Sequence, residues 1–335
     1  MKTTQHLLNY RTLILATILL FAGCQPRDTD ARHRGIYHWK TTYNPSEWEK
    51  RWMKEHRVGK LYVKLFEVDA GSKHGHNAWR MVPVATTRFQ QPLPKEMEVV
   101  PVVYITVDAI RALKNGEYVE WTTKERYAEL LVKRIKEMMA EHYEGRVREV
   151  QLDCDWTAQT EETYFDLVRS IKSMLHDDSI TLSGTLRLHQ LRQVEVQTGY
   201  RDTIPFDRSL LMCYNTGNLQ DPQTENSILD YDCAKPYLKQ YLSATLPRTD
   251  VAYPVYGWGV EFDRTGQFDR LIASDKMPHH STETIRIEWG DMREIRRTQQ
   301  ALPTLDSLHT TILYHLDSLN LSHYSHEDIE AIYSR

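Results

Sequence analysis

Val150, Leu152, Cys154 and Trp156 alternate with Gln151, Asp153 and Asp155. Side chains of an extended strand repeat with period 2, so the first four share one face and the last three the other. A long helical pattern precedes this stretch and another follows it. Its apolar face therefore meets helices, and its acidic face points into the interior of a parallel sheet. Two carboxylates at the C-terminal end of such a strand occupy the position where barrel enzymes carry out their chemistry.

The same alternation between extended and helical patterns runs along the chain. Strands are predicted over Ile36–Thr42, Leu61–Val68, Val99–Val107, the Asp153 segment, Ile180–Leu188, Arg208–Tyr214, Val251–Trp258 and Thr311–Leu316. Asn44-Pro45-Ser46 opens a helix through Trp48, Trp52 and Met53. Thr122 or Thr123 caps a helix with Tyr127, Leu130, Leu131, Ile135, Met138 and Met139 at helical spacing. Thr160 opens another, which buries Phe165, Leu167, Val168, Ile171 and Leu175. Tyr237–Leu246, Met292–Gln300 and His326–Tyr333 complete the helices. Asp69–Arg80 reads as a loop or exposed hairpin, and Thr284–Glu288 as an extra short strand. About eight strand–helix units in about 300 residues fit a single-domain (β/α)8 TIM-type barrel with loop insertions. A doubly wound sheet would carry a glycine-rich phosphate turn after an early strand, and none is present.

Strand phase then assigns the interior. Tyr62, Lys64 and Phe66 are expected inside on the second strand, and Val102, Tyr104 and Thr106 on the third. Ser183, Thr185 and Arg187 follow on the fifth, with Tyr214 and Asn215 at the end of the sixth. Tyr256 and Trp258 close the seventh, and Thr311, Leu313, His315 and Asp317 line the eighth. On the first strand either His38 or Tyr37 with Trp39 faces in. An inward lysine is costly without an acid, so Lys64 is expected to pair with Asp153 or Asp155. Such neighbours perturb one another's pKa values, as acid–base chemistry requires; a structural ion-pair network filling the barrel is the alternative. Aromatic residues at the strand ends suit the C–H faces of sugar rings. Trp156 has the phase of a helix-facing residue.

The N-terminus adds a location. Lys2 and Arg11 precede an apolar run, Leu13–Ala22, too short for a stable membrane span. Ala22-Gly23-Cys24 resembles the lipobox of bacterial lipoproteins, with Phe21 where leucine is usual. The expected organisation is a signal peptide over 1–23, a flexible tether over 24–34 and the barrel over 35–335. Cys24 is the expected lipid acceptor and the cell envelope, at the outer membrane, the expected location. A net charge of −4 with mixed signs gives no nucleic-acid patch, and a hydrophobic share of 41% supports a sizeable core. Cys154, Cys213 and Cys233 make no disulfide framework. His74 and His76, like His279 and His280, lack a third ligand, so neither a metal nor another cofactor is expected. Oligomeric state is not legible.

Asp153-Cys154-Asp155 at the end of a fourth barrel strand resembles the family 18 glycoside hydrolases, the chitinase-like barrels. Their strand-four motif is Asp-x-x-Asp-x-Asp-x-Glu, with the glutamate as proton donor. Asp153 and Asp155 match the two later aspartates, but Val150 replaces the first and Thr157 replaces the glutamate. The substrate-assisted mechanism of that family therefore does not carry over. Val150–Asp155, Tyr164–Leu167 and Leu182–Thr185 also resemble an uncharacterised family of lipid-anchored or secreted barrel proteins of Gram-negative bacteria. That resemblance implies a glycosidase-like barrel without an assigned activity. Two functions follow as expectations: hydrolysis or transformation of a glycan, or glycan binding and envelope assembly on a catalytically lapsed barrel. In the first, Asp153 and Asp155 are central, and Asp317, Glu261 or Glu67 supplies the acid. Asp155, nearer the strand end, is expected closer to substrate, and Asp153→Asn is expected to cost activity and stability together. Lys64, Tyr104, Arg187, Tyr214, Asn215, Tyr256, Trp258 and His315 are the expected substrate-binding residues.

Overall fold

A computed structural model describes residues 31–72, 79–116, 123–191, 204–241, 248–302 and 309–334. The leader, Cys24, His74, His76 and Thr122 lie outside the described residues. Eight parallel strands close into a barrel: β1 (Arg34–His38), β2 (Lys60–Ser72), β3 (Glu98–Ile105), β4 (Glu149–Asp153), β5 (Thr181–Arg187), β6 (Arg208–Met212), β7 (Arg248–Pro254) and β8 (Thr311–Tyr314). Neighbours follow chain order, and β1 closes the ring by pairing with both β2 and β8. The expected (β/α)8 barrel is thus the observed fold.

Local chemistry accounts for the helices. Ser46 caps Glu47–Glu55 in a capping box with Glu49. Thr123, not Thr122, caps Lys124–His142 through its hydroxyl. Helix Glu161–His176 buries Phe165, Leu167, Val168, Ile171 and Leu175 against the outer faces of the strands, where Val150, Leu152, Cys154 and Trp156 also lie. Trp156 is fully buried and meets Phe165 edge-on at 5.2 Å. Helix Tyr231–Tyr241 starts earlier than its apolar pattern suggests. The barrel also begins inside the expected tether: Ala31–His33 form a 3-10 turn, and Arg34 is already buried in β1.

Inside the barrel a second apolar cluster joins Tyr37, Tyr62, Val100, Val102, Leu210, Met212, Tyr214, Ala252 and Ile312. This settles the phase of β1: Tyr37 and Trp39 face in, while His38 packs outward against Tyr43. It reverses the phase of β8. Ile312 and Tyr314 face in, and Leu313 joins the helix-facing core instead. The expectation failed because Ile312 and Leu313 are both apolar and the interior they border is itself an apolar cluster, so polarity did not mark the inner face. Beneath the cluster, at the strand starts, Lys60 pairs with Glu98 and Glu149, and Arg208 with Asp250. An interior ion-pair network therefore exists at the strand starts, formed by residues that alternation did not single out, in addition to pairs nearer the strand ends.

On β2 the phase changes midway. Lys64 pairs in register with Val102 and Phe66 with Val103, so Leu65 is an extra residue, a β-bulge. Leu65 and Phe66 both face the helices, and Arg134 lies over the Phe66 ring at 5.0 Å. Phe66 is therefore not interior; Glu67 takes the inward position. Thr87 satisfies the bulge, donating its backbone N–H to the Leu65 carbonyl at 2.8 Å and its hydroxyl to that of Lys64 at 2.5 Å. Downstream, β2 continues into a hairpin with Trp79–Val84, as one reading of Asp69–Arg80 anticipated.

The predicted strand Val251–Trp258 divides. β7 ends at Pro254, and Gly257–Phe262 begins a separate antiparallel sheet with Phe268–Ala273 and Ile285–Trp289. Gly257 makes the change possible, because a Cβ there would sit 2.5 Å from the Trp289 ring.

Candidate active site

The C-terminal ends of the barrel strands surround a cavity of about 590 Å³. Its lining includes Trp39, Glu67, Tyr104, Asp153, Arg187, Tyr214, Asn215, Tyr256, Trp258, Tyr314 and His315. Leu271–Ser274 of the antiparallel insertion complete one side. A pocket of this size, apolar-walled with a few converging polar groups, is the usual form of a small-ligand site.

Asp153 ends β4 and is 7% exposed. Thr185 on β5 donates to its Oδ1 at 2.6 Å. Burial, and then the charge of Asp155, raise its pKa from 3.8 to about 6, against the opposing pull of Arg187, Thr185 and Lys64. Asp155 is instead clamped by Arg187, whose Nε and Nη2 donate to its two oxygens at 2.6 and 3.0 Å. Gln190 fixes this clamp, accepting the Arg187 backbone N–H at 2.7 Å and donating to the Trp156 carbonyl at 2.9 Å. Arg187 thus holds one aspartate while the other keeps a raised pKa. Asp153 lines the cavity directly, and Asp155, expected nearer the ligand, is held by Arg187, which itself lines the cavity.

Lys64 is buried as expected, but its acid is Glu67. The bulge is the reason, since it turns residue 67 inward beside residue 64. The Lys64 amine also lies 5.2 Å from the centroid of the Trp39 ring. Of the three acids considered for proton donation, only Glu67 lines the cavity. Asp317 instead caps the short helix Ser318–Leu321, accepting from Asn320 N at 3.0 Å, and pairs with Lys40 at 2.7 Å. Glu261 sits on the insertion and pairs with Arg270 at 2.5 Å. Both were misplaced for the same reason: the strands carrying them end sooner than alternation implied.

The aromatic lining is packed ring against ring. Tyr214 stacks on Tyr314 at 5.3 Å, and Tyr256 meets Trp258 at 5.3 Å. Tyr256 donates to Asn215 Oδ1 at 2.7 Å. Tyr104 has its pKa pushed up to about 12 by burial and by Asp155 and Asp153, so its hydroxyl stays a donor. His315 follows a cis peptide after Tyr314 and has its pKa lowered to about 4 by burial, which keeps the imidazole neutral near pH 7. The residues expected to bind ligand therefore meet at one cavity, except that Lys64 pairs with Glu67 instead of lining it and Trp258 comes from the insertion. Tyr314 and the insertion residues were missed. Glu67 was named as an acid without the strand phase that brings it in. The consecutive apolar pair Leu65-Phe66, where alternation demands one, was the available signal for the bulge.

Among the described residues, His56, His326 and Glu330 are close enough to share a metal ion. Arg34 and Arg57 both donate to Glu330, placing positive charge where a cation would sit. No helix among the described residues is long and apolar enough to cross a membrane.

No protein-family model and no curated protein matches this chain. Solved structures do. A chitinase from Chromobacterium violaceum is 12% identical with a TM-score of 0.52, the match covering 90% of this chain and 98% of that one. A GH18 chitinase from Flavobacterium johnsoniae is 13% identical with a TM-score of 0.51, over 90% and 93%. The spore cortex-lytic enzyme SleL of Bacillus cereus is 14% identical with a TM-score of 0.50, over 88% and 75%. At these identities the likeness concerns architecture, and the chain has the fold of the chitinase-like (β/α)8 barrels.

Proposed function

We propose that this protein acts on a glycan at the C-terminal cavity of its barrel, as a glycoside-hydrolase-like enzyme. One observation carries the reading: two carboxyl groups, Asp153 from β4 and Glu67 from β2, line the same aromatic-walled cavity in different electrostatic settings. Asp153 keeps its proton up to about pH 6, and Glu67 is ion-paired with Lys64. A buried carboxyl that holds its proton, set beside an ion-paired one, can divide acid and base roles in glycosidic cleavage. Asp153 is assigned the proton and Glu67 the charged role, and the aromatic rings the stacking of the sugar. Chitinase-like neighbours act on carbohydrate, which agrees with this choice of substrate class.

The test is a glycan panel incubated with the purified protein, scoring both binding and product release. Glu67→Gln is expected to lower turnover at least about 100-fold, the usual contribution of one positioned acid or base, with the fold intact. Unchanged turnover in that variant removes the pair from the mechanism. A second reading, glycan binding without cleavage, is favoured by Thr157. The residue at the family's acid position is tied into the start of helix Glu161–His176, its N–H donating to Thr160 Oγ1 at 3.0 Å. Binding without product release by the wild type decides for this reading.

We further propose that Cys24 carries a lipid anchor that holds the protein in the cell envelope, at the outer membrane. Leu13–Ala22 followed by Gly23-Cys24 supports this. Cys24→Ser is expected to release the protein from the membrane fraction or block its processing; normal cleavage and retention of that variant would sink the proposal.

A further inference from the structure

One side of the cavity is held by a carboxylate that does not line it. Trp258 Nε1 donates to Glu288 Oε2 at 2.9 Å. The same oxygen accepts the Ser227 backbone N–H at 2.9 Å and the Ser227 hydroxyl at 2.5 Å. Oε1 accepts Arg286 Nε at 2.5 Å. Arg286 passes the connection on, donating to the carbonyls of Asp221 at 2.9 Å and Leu219 at 3.3 Å. Glu288 is 2% exposed. A buried charge with a full set of donors thus joins three segments: the turn after β6, the first strand of the insertion and its third strand. Packing alone could have closed this wall with apolar side chains. A carboxylate adds a fixed ring orientation for Trp258.

The consequence reaches the ligand. With its N–H engaged by Glu288, Trp258 can meet a ligand only through its ring. The Tyr256 hydroxyl is likewise taken up by Asn215. Trp258 and Tyr256 therefore offer this wall their π faces, with the indole N–H and the phenol proton both already engaged.

We propose that Glu288 is a positioning residue that sets ligand affinity by holding Trp258 as a stacking platform for a ring with an apolar face, such as a pyranose. The choice of ligand rests on the glycan reading above; the link between Glu288 and Trp258 rests on geometry alone. The test compares wild type, Glu288→Gln, Trp258→Phe and the double variant, using whichever glycan the wild type selects from the panel. A glutamine puts an N–H₂ group against either Arg286 or the three donors on Oε2, so one side of the junction must open. Glu288→Gln is expected to weaken Kd about tenfold, equivalent to about 1.4 kcal/mol. Any kcat should change less than about twofold, the signature of lost uniform binding. In the Trp258→Phe background the same change should alter Kd less than about twofold, because phenylalanine has no N–H to hold. An equal loss in both backgrounds, or wild-type affinity in Glu288→Gln, overturns the proposal.

A second measurement needs no ligand. The Trp258 indole N–H resonance, identified by its disappearance in Trp258→Phe, should resist exchange with deuterated solvent in the wild type. Rapid exchange there overturns the proposal even where Glu288→Gln does not fold. A wild type that binds no glycan sinks the functional reading, while the resonance still decides whether Glu288 holds the ring.

Discussion

Asp153→Asn is expected to stabilise the protein at neutral pH while removing a carboxyl from its cavity. The folded carboxyl titrates at about 6, against 3.8 for the free side chain. Below the lower value both folded and unfolded states hold the proton, and burial costs nothing extra. Between the two values the unfolded carboxyl ionises while the folded one keeps its proton, so stability falls as pH rises. Above about pH 6 the full cost is present. The values differ by about 2 pH units; at about 1.4 kcal/mol for each, Asp153 costs the fold about 3 kcal/mol at pH 8. Asparagine is isosteric, carries no charge, and keeps an oxygen to accept the Thr185 hydroxyl. Urea denaturation of both proteins at pH 4 and pH 8 measures the difference. Near-equal stability is expected at pH 4, and an Asn variant more stable by about 2–3 kcal/mol at pH 8. A gap that does not widen with pH, or an Asn variant that is weaker at pH 8, would refute the argument. The buried carboxylate thus reverses half of the expectation drawn from sequence, where activity and stability fell together.

Lys64→Met should lower stability by about 2–3 kcal/mol, less than the loss of a fully buried pair, because the Glu67 side chain is 26% exposed; denaturation midpoints measure it, and an unchanged midpoint would show that the amine is not held by Glu67. Thr87→Val should cost about 1–2 kcal/mol by leaving a bulge carbonyl short of a donor. Thr87→Ser, which keeps the hydroxyl, should recover most of that loss, and equal losses in the two variants would count against this role.

Much of this architecture was legible. Strand β4 declared itself because its alternation was strict and its two faces differed in kind, and Ser183, Thr185 and Arg187 on β5 followed the same rule to their observed places. The rule failed where its premise failed. On β8, Ile312, Leu313 and Tyr314 offer no polar contrast, and the interior they border is itself apolar. On β2 the contrast was present, but one extra residue moved the count, and strand phase carries no memory of a bulge. The insertion after β7 was hidden for a different reason. Val251–Trp258 is apolar throughout, so nothing in it marks the point at which the chain leaves the barrel. Glu288 was out of reach because its importance lies in partners 30 and 61 positions away, Trp258 and Ser227.

The bulge at Leu65 makes local backbone geometry, and not residue identity alone, a determinant of this site. The same residues in strict alternation, without the bulge, would carry everything downstream of Leu65 to the opposite face. Glu67 would leave the cavity for the helix side, and Val68 would take its place, although every acid remained in the sequence. Losing the bulge without losing a residue would thus equal the loss of the acid, whereas deleting Leu65 would leave Glu67 opposite Tyr104 on the inward face. A strand one residue shorter at this point accordingly retains the acid, while one of the same length that lacks the bulge keeps Glu67 in the sequence and loses it from the cavity.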